Sequence, residues 1–352
     1  PIGGADSDGI PMVTPNPTDA GAGEIIAAAA LPHPVRLVDP ARLARAHLGD
    51  RVFRGLAVGA GVFVVALIAA IGVFLLWRAI PALVRNRENF FSYAGNWITT
   101  DTSAMHFGIW DMLQVTVFVS VFALALAMPV ALGVAVYLTA YAPRRMVAPL
   151  AYLVDLLAAV PSIIYGVWGL YVLAPRLSPV AVWLNEHLGW LFLFSSGNAS
   201  VSGGGTVFTG GIVLAVMILP IIAAVAREVF IQTPQGQIEA ALALGATRWE
   251  MVRTTVLPFG RSGFISGAML GLGRALGETI ALLIILRGTQ KAFGWSLFDG
   301  GFTFAAKIAA TASEFNDQYK AGAYIAAGLV LFVLTFVVNA AARAAIASGR
   351  PR

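Results

Sequence analysis

Two charged residues, Arg274 and Glu278, stand four positions apart within an apolar, glycine-rich stretch. A charge at the centre of a membrane helix costs about 2.5–3.5 kcal/mol on insertion scales, so such charges usually serve a function. A guanidinium group binds an oxyanion through two parallel hydrogen bonds, and a carboxylate beside it accepts one from an anion that carries a proton. The pair therefore predicts a site for a protonated oxyanion. Mutual neutralisation of the two charges on one helix is the structural alternative.

Four hydroxyl groups are candidates for the same path, because each can donate a hydrogen bond to an anion. They belong to Ser162, Tyr165, Ser266 and Thr279. The first two follow Pro161, which removes one helical hydrogen bond and is predicted to bend its helix. The other two flank the charged pair. Serine and threonine also pack between membrane helices, and that role is the alternative for them.

A polar segment with a regular pattern, residues 232–259, separates two long apolar stretches. The pattern consists of Glu239, Ala240, Ala241, Gly245, Ala246, Thr247, Leu257 and Pro258. It predicts two short helical pieces with a turn at Gly245, because glycine adopts turn conformations that other residues resist. Apolar residues of the segment include Ala241, Leu242, Leu244, Trp249, Met251 and Val252. They would be poorly placed on a bare aqueous loop, so we expect a partner to cover part of them.

This pattern resembles the EAA loop of permease subunits in ATP-driven importers. Thr255 is a mild departure, because an aliphatic residue is usual at that place in the family. Longer stretches, at residues 239–250, 257–263 and 271–279, resemble phosphate importer permeases of the PstC type. The resemblance extends from about Leu113 to the C-terminus.

The resemblance implies an all-α membrane protein with six transmembrane helices and the type I ABC importer permease (MetI-like) fold. It also implies partners: a second permease subunit of similar fold, two cytoplasmic ATPase subunits that bind ATP and Mg, and an extracytoplasmic phosphate-binding protein. Residues 232–259 would be the coupling loop that transmits the ATPase motion to the spans. Arg274 would belong to a transient phosphate site. Glu278 would favour phosphate over sulfate, because phosphate near neutral pH carries a proton.

The composition of the chain points to lipid as its solvent. Of its 352 residues, 58% are hydrophobic and 12% are charged, with a mean hydropathy of +0.80. Six stretches have at least the length of about 20 residues that a membrane helix needs. These predicted spans are about 55–80, 113–139, 149–174, 208–231, 261–287 and 321–346. Residues 1–50, rich in glycine and proline, are predicted to be a flexible cytoplasmic tail before a permease domain at 51–352.

Arginines concentrate near both ends of the chain and around the 232–259 loop. The positive-inside rule therefore predicts cytoplasmic termini and a cytoplasmic loop, in a multi-pass protein of the bacterial inner (plasma) membrane. The chain has no cysteine and its four histidines are scattered, so a metal site is not expected. No phosphate-cradling nucleotide motif and no catalytic set is apparent, so a non-catalytic subunit without a bound cofactor is predicted. No basic patch interleaves with aromatic residues, which disfavours nucleic acid.

Other functions remain open at this stage. The chain could be a permease for another oxyanion, such as sulfate or molybdate, or the sister permease of the same importer. An ATPase-independent channel or a structural membrane subunit is an alternative from a different class, against which the EAA spacing argues.

Overall fold

The computed structural model describes residues 40–348, apart from residues 96, 100, 102, 103 and 290. These residues form helices joined by loops, with two isolated β-bridges as the pairings outside the helices. The helices are α1 (Pro40–Arg85), α2 (Trp110–Val136), α3 (Arg144–Ala159), α4 (Ser162–Trp168), α5 (Ala174–Leu188), α6 (Val207–Ile231), α7 (Gln235–Ala243), α8 (Arg248–Met251), α9 (Leu257–Leu276), α10 (Ile280–Ile285), α11 (Phe304–Ala310) and α12 (Gln318–Ser348). The predicted all-helical membrane architecture is confirmed.

Three helices continue into a π-helical turn. These turns are Tyr137–Tyr141 after α2, Gly169–Leu173 after α4 and Val252–Val256 after α8. The second turn joins α4 to α5, and the third joins α8 to α9. Residues 162–188 therefore form one continuous helical segment.

Helix α1 begins at Pro40, where proline is well suited because the first helical N–H needs no partner. Residues 1–39 of the predicted tail lie outside the described part of the chain. Residues 40–50 belong to α1, and the division into a tail at 1–50 and a permease domain at 51–352 stays a prediction. The chain divides into two compact units, one ending at Leu67 and one beginning at Ile68, and α1 contributes to both. In the first unit, apolar side chains such as Phe53 and Phe63 are exposed, as lipid contact requires.

Five helical segments of the described chain are long and apolar enough to cross a membrane, by length and composition. They are Arg51–Arg85, Trp110–Tyr141, Ser162–Leu188, Val201–Ile231 and Gln318–Ala344. The predicted spans 55–80, 113–139 and 208–231 lie within them, and 321–346 overlaps the last. The segment that contains α6 is the most buried of the five. The count of six spans stays a prediction.

The predicted span 149–174 is not a single helix in the structure. Helix α3 ends at Ala159 and α4 begins at Ser162. Proline lacks an N–H and pushes the residue before it into extended backbone. Val160 accordingly has φ −66° and ψ 130°. The bend that Pro161 predicted is therefore a complete interruption.

The predicted span 261–287 is also divided. Helix α9 ends at Leu276, and α10 begins only at Ile280. Gly277 follows the last residue of α9, a position where glycine is common because it leaves the helix at little cost. Arg274 and Glu278 therefore do not belong to one helix, which corrects the sequence-based prediction.

Helix α6 lies at the centre of the second unit and packs against α2, α3 and α9. Glycines on α9 allow this close approach. A Cβ added to Gly267 would lie 3.0 Å from Val225, and one added to Gly271 would lie 2.9 Å from Ile222. Small residues at such positions let membrane helices pack closely, so these two glycines serve helix packing.

A buried carboxylate, Asp299, connects two loops near the N-terminal end of α2. Its Oδ1 accepts the N–H of Asn198 at 2.7 Å, and its Oδ2 accepts the N–H groups of Gly294 and Ser296, both at 2.9 Å. These last two residues flank Trp295, which has a positive φ of 62°. Such a conformation persists only where its surroundings impose it, and Asp299 supplies that constraint.

We expect Asp299→Asn to lower the free energy of unfolding by at least about 2 kcal/mol, because an amide N–H₂ would face buried N–H donors and leave some of them unpaired. Thermal denaturation in detergent measures this change. Asp317→Asn is the matched control, since Asp317 also accepts two backbone N–H groups but is solvated. Equal stability of the two variants would contradict the prediction.

Candidate functional site

The two helix interruptions meet at one open cavity of about 520 Å³. Its lining comprises Ser162, Gly273, Arg274, Gly277, Glu278, Thr279 and Ile280. Helix α4 packs against α10 so closely that a Cβ on Gly166 would lie 2.9 Å from the Cα of Ala281. This contact brings the start of α4 to the segment between α9 and α10. Broken helices around a polar cavity are a common arrangement for binding a solute within a membrane.

Arg274 lies exposed in the lining of this cavity. Among the described residues it makes no hydrogen bond and no ion pair, although it interacts electrostatically with Tyr165. Arg274 and Glu278 therefore form no direct ion pair in the described part of the chain, and mutual neutralisation stays the untested structural alternative. A guanidinium in this state keeps all of its N–H donors available for an anion.

Glu278 is 7% exposed and has two functions in the local structure. Its Oε1 accepts the N–H of Ala281 at 3.1 Å, which satisfies a free donor in the first turn of α10. Its Oε2 has no hydrogen-bond partner among the described residues. Thr279, the next residue, donates its hydroxyl to the carbonyl oxygen of Gly277 at 3.2 Å. The carboxylate is therefore held in place by one oxygen while the other remains available.

Two predicted path residues do not line the cavity. Tyr165 is buried, and its hydroxyl donates to the carbonyl oxygen of Leu157 at 2.8 Å, across the interruption at Pro161. Ser266 donates to the carbonyl oxygen of Ser262 within its own helix at 3.0 Å. Tyr165 therefore braces the interrupted helix beside the cavity, and Ser266 lies about two turns before Arg274.

The 232–259 loop contains two short helices, α7 and α8, separated by a turn at Gly245. Gly245 has φ +86°, a conformation that residues with a Cβ rarely adopt. The N–H of Gly245 donates to the carbonyl oxygen of Leu242 at 3.0 Å, and the N–H of Ala246 donates to that of Ala241 at 3.2 Å. These bonds satisfy the last carbonyl groups of α7. The two short helices predicted for this loop, with a turn between them at Gly245, are thus present.

The apolar residues of the loop divide into two groups. Met251 and Val252 are buried and pack with Phe230 at the end of α6, so the expectation that a partner covers them is corrected. Leu244 and Trp249 remain 90% and 56% exposed. The pattern of polar and apolar residues did not separate the groups, because their burial depends on the position of α6.

Helix α8 begins with a reciprocal cap between Thr247 and Glu250. The Thr247 hydroxyl accepts the N–H of Glu250 at 3.3 Å, and the carboxylate of Glu250 accepts the N–H of Thr247 at 2.8 Å. The Thr247 hydroxyl also donates to this carboxylate at 2.8 Å. The bond from the backbone N–H of Thr247 and then the bond from its hydroxyl hold the pKa of Glu250 below its usual range. The cap anchors the start of the segment that follows Gly245.

We expect the cap to weaken at acidic pH. Because the folded-state pKa is depressed, its contribution is fully present above the unfolded-state pKa and is lost as the pH falls through the folded value. At neutral pH, Thr247→Ala should speed hydrogen exchange at the N–H of Glu250 several-fold. Hydrogen-exchange mass spectrometry of this segment measures the rate. Thr254→Ala is the control, because it removes only a hydroxyl bond to the carbonyl oxygen of Glu250. Equal exchange in both variants would contradict the assigned cap.

The interrupted helices, the polar cavity and the exposed loop define a helical membrane transport component. A family model described as "Binding-protein-dependent transport system inner membrane component" matches residues 127–347. The chain belongs to this family of inner membrane components.

Named relatives and a solved structure are similar to much of the chain. The phosphate transport system permease protein PstC 2 of Mycobacterium tuberculosis is 59% identical over 305 residues, which cover 87% of this chain and 94% of the relative. The corresponding PstC protein of Mycobacterium leprae is 62% identical over 301 residues, or 86% and 94%. A crystal structure of a bacterial ABC transporter involved in the import of the acidic polysaccharide alginate has a TM-score of 0.50 at 14% identity. That likeness covers 68% of this chain and 79% of the other, and it concerns the fold alone. The predicted permease fold of ABC importers is confirmed.

Sequence reasoning missed Asp299 and did not separate the roles of the glycines in α9 and directly after it. The Asp-Gly-Gly run at residues 299–301 is a turn signal that could have marked the first. The second requires the structure, since Gly267 and Gly271 face α6 whereas Gly273 and Gly277 line the cavity.

Proposed function

We propose that this chain is a permease subunit of an ATP-driven importer of inorganic phosphate. The observation that carries the proposal is the exposed, unpaired guanidinium of Arg274 in a cavity between interrupted helices. The two mycobacterial relatives, named as phosphate transport permeases, support phosphate as the anion. The chain would form half of the translocation path, and a second permease of similar fold would form the other half.

In this proposal, Arg274 binds the anionic oxygens of phosphate through parallel hydrogen bonds. The free Oε2 of Glu278 accepts a hydrogen bond from the protonated oxygen, whereas fully ionised sulfate would be repelled. The hydroxyl groups of Ser162 and Thr279 line the same cavity and can donate further bonds. The cavity is open in this chain, and the second permease subunit would supply the rest of its walls.

The exposed loop suits a contact with one of the two ATPase subunits, which would bind ATP and Mg. Leu244 and Trp249 supply apolar contact area, while Met251 and Val252 anchor the loop to α6. Glu239 and Ala240 are exposed on α7 beside them. Closure of the ATPase pair would thereby move α6 and α9. The termini and this loop would be cytoplasmic, and a phosphate-binding protein would deliver the anion from the opposite side.

The test is uptake of radiolabelled phosphate by vesicles that contain the complete reconstituted importer. We expect uptake to require ATP on the side of the membrane that carries the ATPase subunits and the binding protein on the opposite side. Excess sulfate or molybdate should leave this uptake unchanged. If sulfate or molybdate competes equally, the substrate of the proposed importer would be another oxyanion and not phosphate. Uptake that proceeds without ATP would instead indicate a channel and contradict the proposal.

A further inference from the structure

A polar side chain of α12, Asn339, lies at the edge of the cavity that contains Arg274. Helix α12 packs against α9. A Cβ added to Gly273, which lines the cavity, would lie 3.6 Å from the Oδ1 of Asn339 and 3.8 Å from its Nδ2. Gly273 directly precedes Arg274 in α9. The amide of Asn339 therefore stands beside the helical turn that carries the guanidinium.

The amide of Asn339 has no partner in an otherwise apolar part of its helix. It belongs to the segment Gln318–Ala344, which is long and apolar enough to cross a membrane. Residues 325–342 contain one further polar side chain, that of Thr335, and its hydroxyl donates to the carbonyl oxygen of Phe332 at 2.9 Å. Asn339 is exposed and makes no hydrogen bond within the described part of the chain. Because an unpaired amide in a membrane helix is costly, this group requires a hydrogen-bond partner from outside the chain.

Gly273 keeps this side of the cavity open. Added Cβ atoms at Gly267 and Gly271 would meet α6, whereas one at Gly273 would meet only the Asn339 amide among the described residues outside its own helix, at an ordinary van der Waals distance. Helix packing therefore does not require a glycine at position 273, although glycine is less favourable than alanine inside a helix. The missing side chain instead leaves room for a solute to approach the backbone between α9 and α12.

We propose that Asn339 lines the anion path next to Arg274 and that its amide binds phosphate as the anion passes between α9 and α12. The amide N–H₂ donates to the anionic oxygens, and the amide oxygen accepts the hydrogen bond of the P–OH group. Because the amide carries no charge, it holds the anion less strongly than a guanidinium does, which suits release after contact with Arg274. The inference rests on the proposed function and extends the lining of the path from α4, α9 and α10 to α12.

The test separates this role from two others. An amide that contacts a second membrane helix would be needed for assembly of the importer, because polar side chains bond across such helices. An amide that faces lipid would be out of reach of charged reagents in water. Only a residue of the anion path is reached by such reagents and covered by phosphate.

The chain contains no cysteine, so Asn339→Cys introduces a single thiol. Its reaction with a charged, membrane-impermeant thiosulfonate is followed by mass spectrometry of this chain, in the complete importer in nanodiscs. The thiol should react, and saturating inorganic phosphate should slow the reaction several-fold, because the rate falls with occupancy. Val337→Cys is the matched control, since Val337 is exposed on the same helix but about 160° around it from Asn339. That thiol should react slowly, at a rate that phosphate leaves unchanged.

Transport variants test the amide itself. Asn339→Leu has a similar size but no polar group, so it should lower phosphate uptake several-fold while assembly and ATP hydrolysis persist. Asn339→Asp adds a negative charge that repels the anion and should lower uptake further. Asn339→Gln keeps the amide and should retain most of the uptake.

The gap beside Asn339 is tested from α9. Gly273→Leu places a side chain in the gap and should lower uptake several-fold. Gly133→Leu in α2 is the control, because Gly133 is also exposed within a long helix and its Cβ would meet nothing within 4 Å. Equal uptake by the two leucine variants would contradict a path between α9 and α12.

The role of Asn339 is overturned if Asn339→Cys reacts no faster than Val337→Cys, if phosphate leaves its rate unchanged, or if Asn339→Leu transports phosphate at the native rate. Loss of assembly in Asn339→Leu would assign the amide to a second helix and also overturn it. Uptake by the unaltered importer, measured in parallel, separates the two proposals. Intact uptake with an unreactive or unprotected thiol refutes the role of Asn339 alone. Absent uptake with a protected thiol refutes the proposed import function and leaves phosphate binding beside Asn339 in place.

Discussion

Replacing Arg274 with glutamine should reduce ATP-dependent phosphate uptake by about 10- to 150-fold, since a charged hydrogen-bonded contact contributes about 1.5–3 kcal/mol. The reason is geometric: Arg274 lines the open cavity and has no partner among the described residues that would stabilise the chain. Assembly of the importer and ATP hydrolysis should therefore persist. Size-exclusion chromatography, phosphate release from ATP and uptake into vesicles measure the three properties separately.

Companion variants sharpen this prediction. Arg274→Lys keeps the charge but loses the parallel donors, so it should restore uptake only in part. Arg176→Gln is the control, because Arg176 is exposed and donates only to Val172 within its own helical segment. Unchanged uptake in Arg274→Gln would show that this guanidinium is outside the path. Loss of uptake in both glutamine variants would indicate a general effect of charge.

Glu278→Gln separates the charge of this residue from its structural contact. A glutamine oxygen can still accept the N–H of Ala281, so α10 should keep its first turn. The lost negative charge should allow sulfate to compete with phosphate. Continued exclusion of sulfate by this variant would contradict the proposed selectivity.

Replacing Gly245 with alanine should reduce phosphate uptake per ATP hydrolysed by about 5- to 30-fold, because a left-handed conformation costs other residues roughly 1–2 kcal/mol. An alanine Cβ at Gly245 would meet nothing within 4 Å, so backbone strain alone is responsible. The turn between α7 and α8 would change, and the exposed side chains of Leu244 and Trp249 would no longer be presented together. Uptake and ATP hydrolysis, measured in the same vesicles, give the ratio.

Gly236→Ala is a closely matched control for that variant. Gly236 lies in α7, in the same loop, and its Cβ would also meet nothing within 4 Å. It lacks a positive φ, so alanine should be tolerated or slightly stabilising. An equal loss of coupling in both variants would assign the effect to side-chain contact with a partner, and an unchanged ratio in Gly245→Ala would exclude the proposed role of the turn.

The sequence by itself determined the class of protein and named two residues, Arg274 and Glu278, of its candidate site. Long apolar runs require helices in lipid, and the spacing of Glu239, Gly245 and Pro258 is a local pattern that survives any packing. Arg274 and Glu278 were recognisable because a charge within an apolar stretch is costly wherever it lies. Such properties depend on residues that are near each other in the chain.

Only the tertiary structure decided which residues share a cavity. The interruptions at Pro161 and Gly277 are far apart in sequence, and they meet because α4 packs against α10. Packing likewise buried Met251 against α6 and joined the Tyr165 hydroxyl to the carbonyl oxygen of Leu157. Periodicity reports which face of a helix is apolar, whereas the neighbour that covers that face is set by contacts between distant segments.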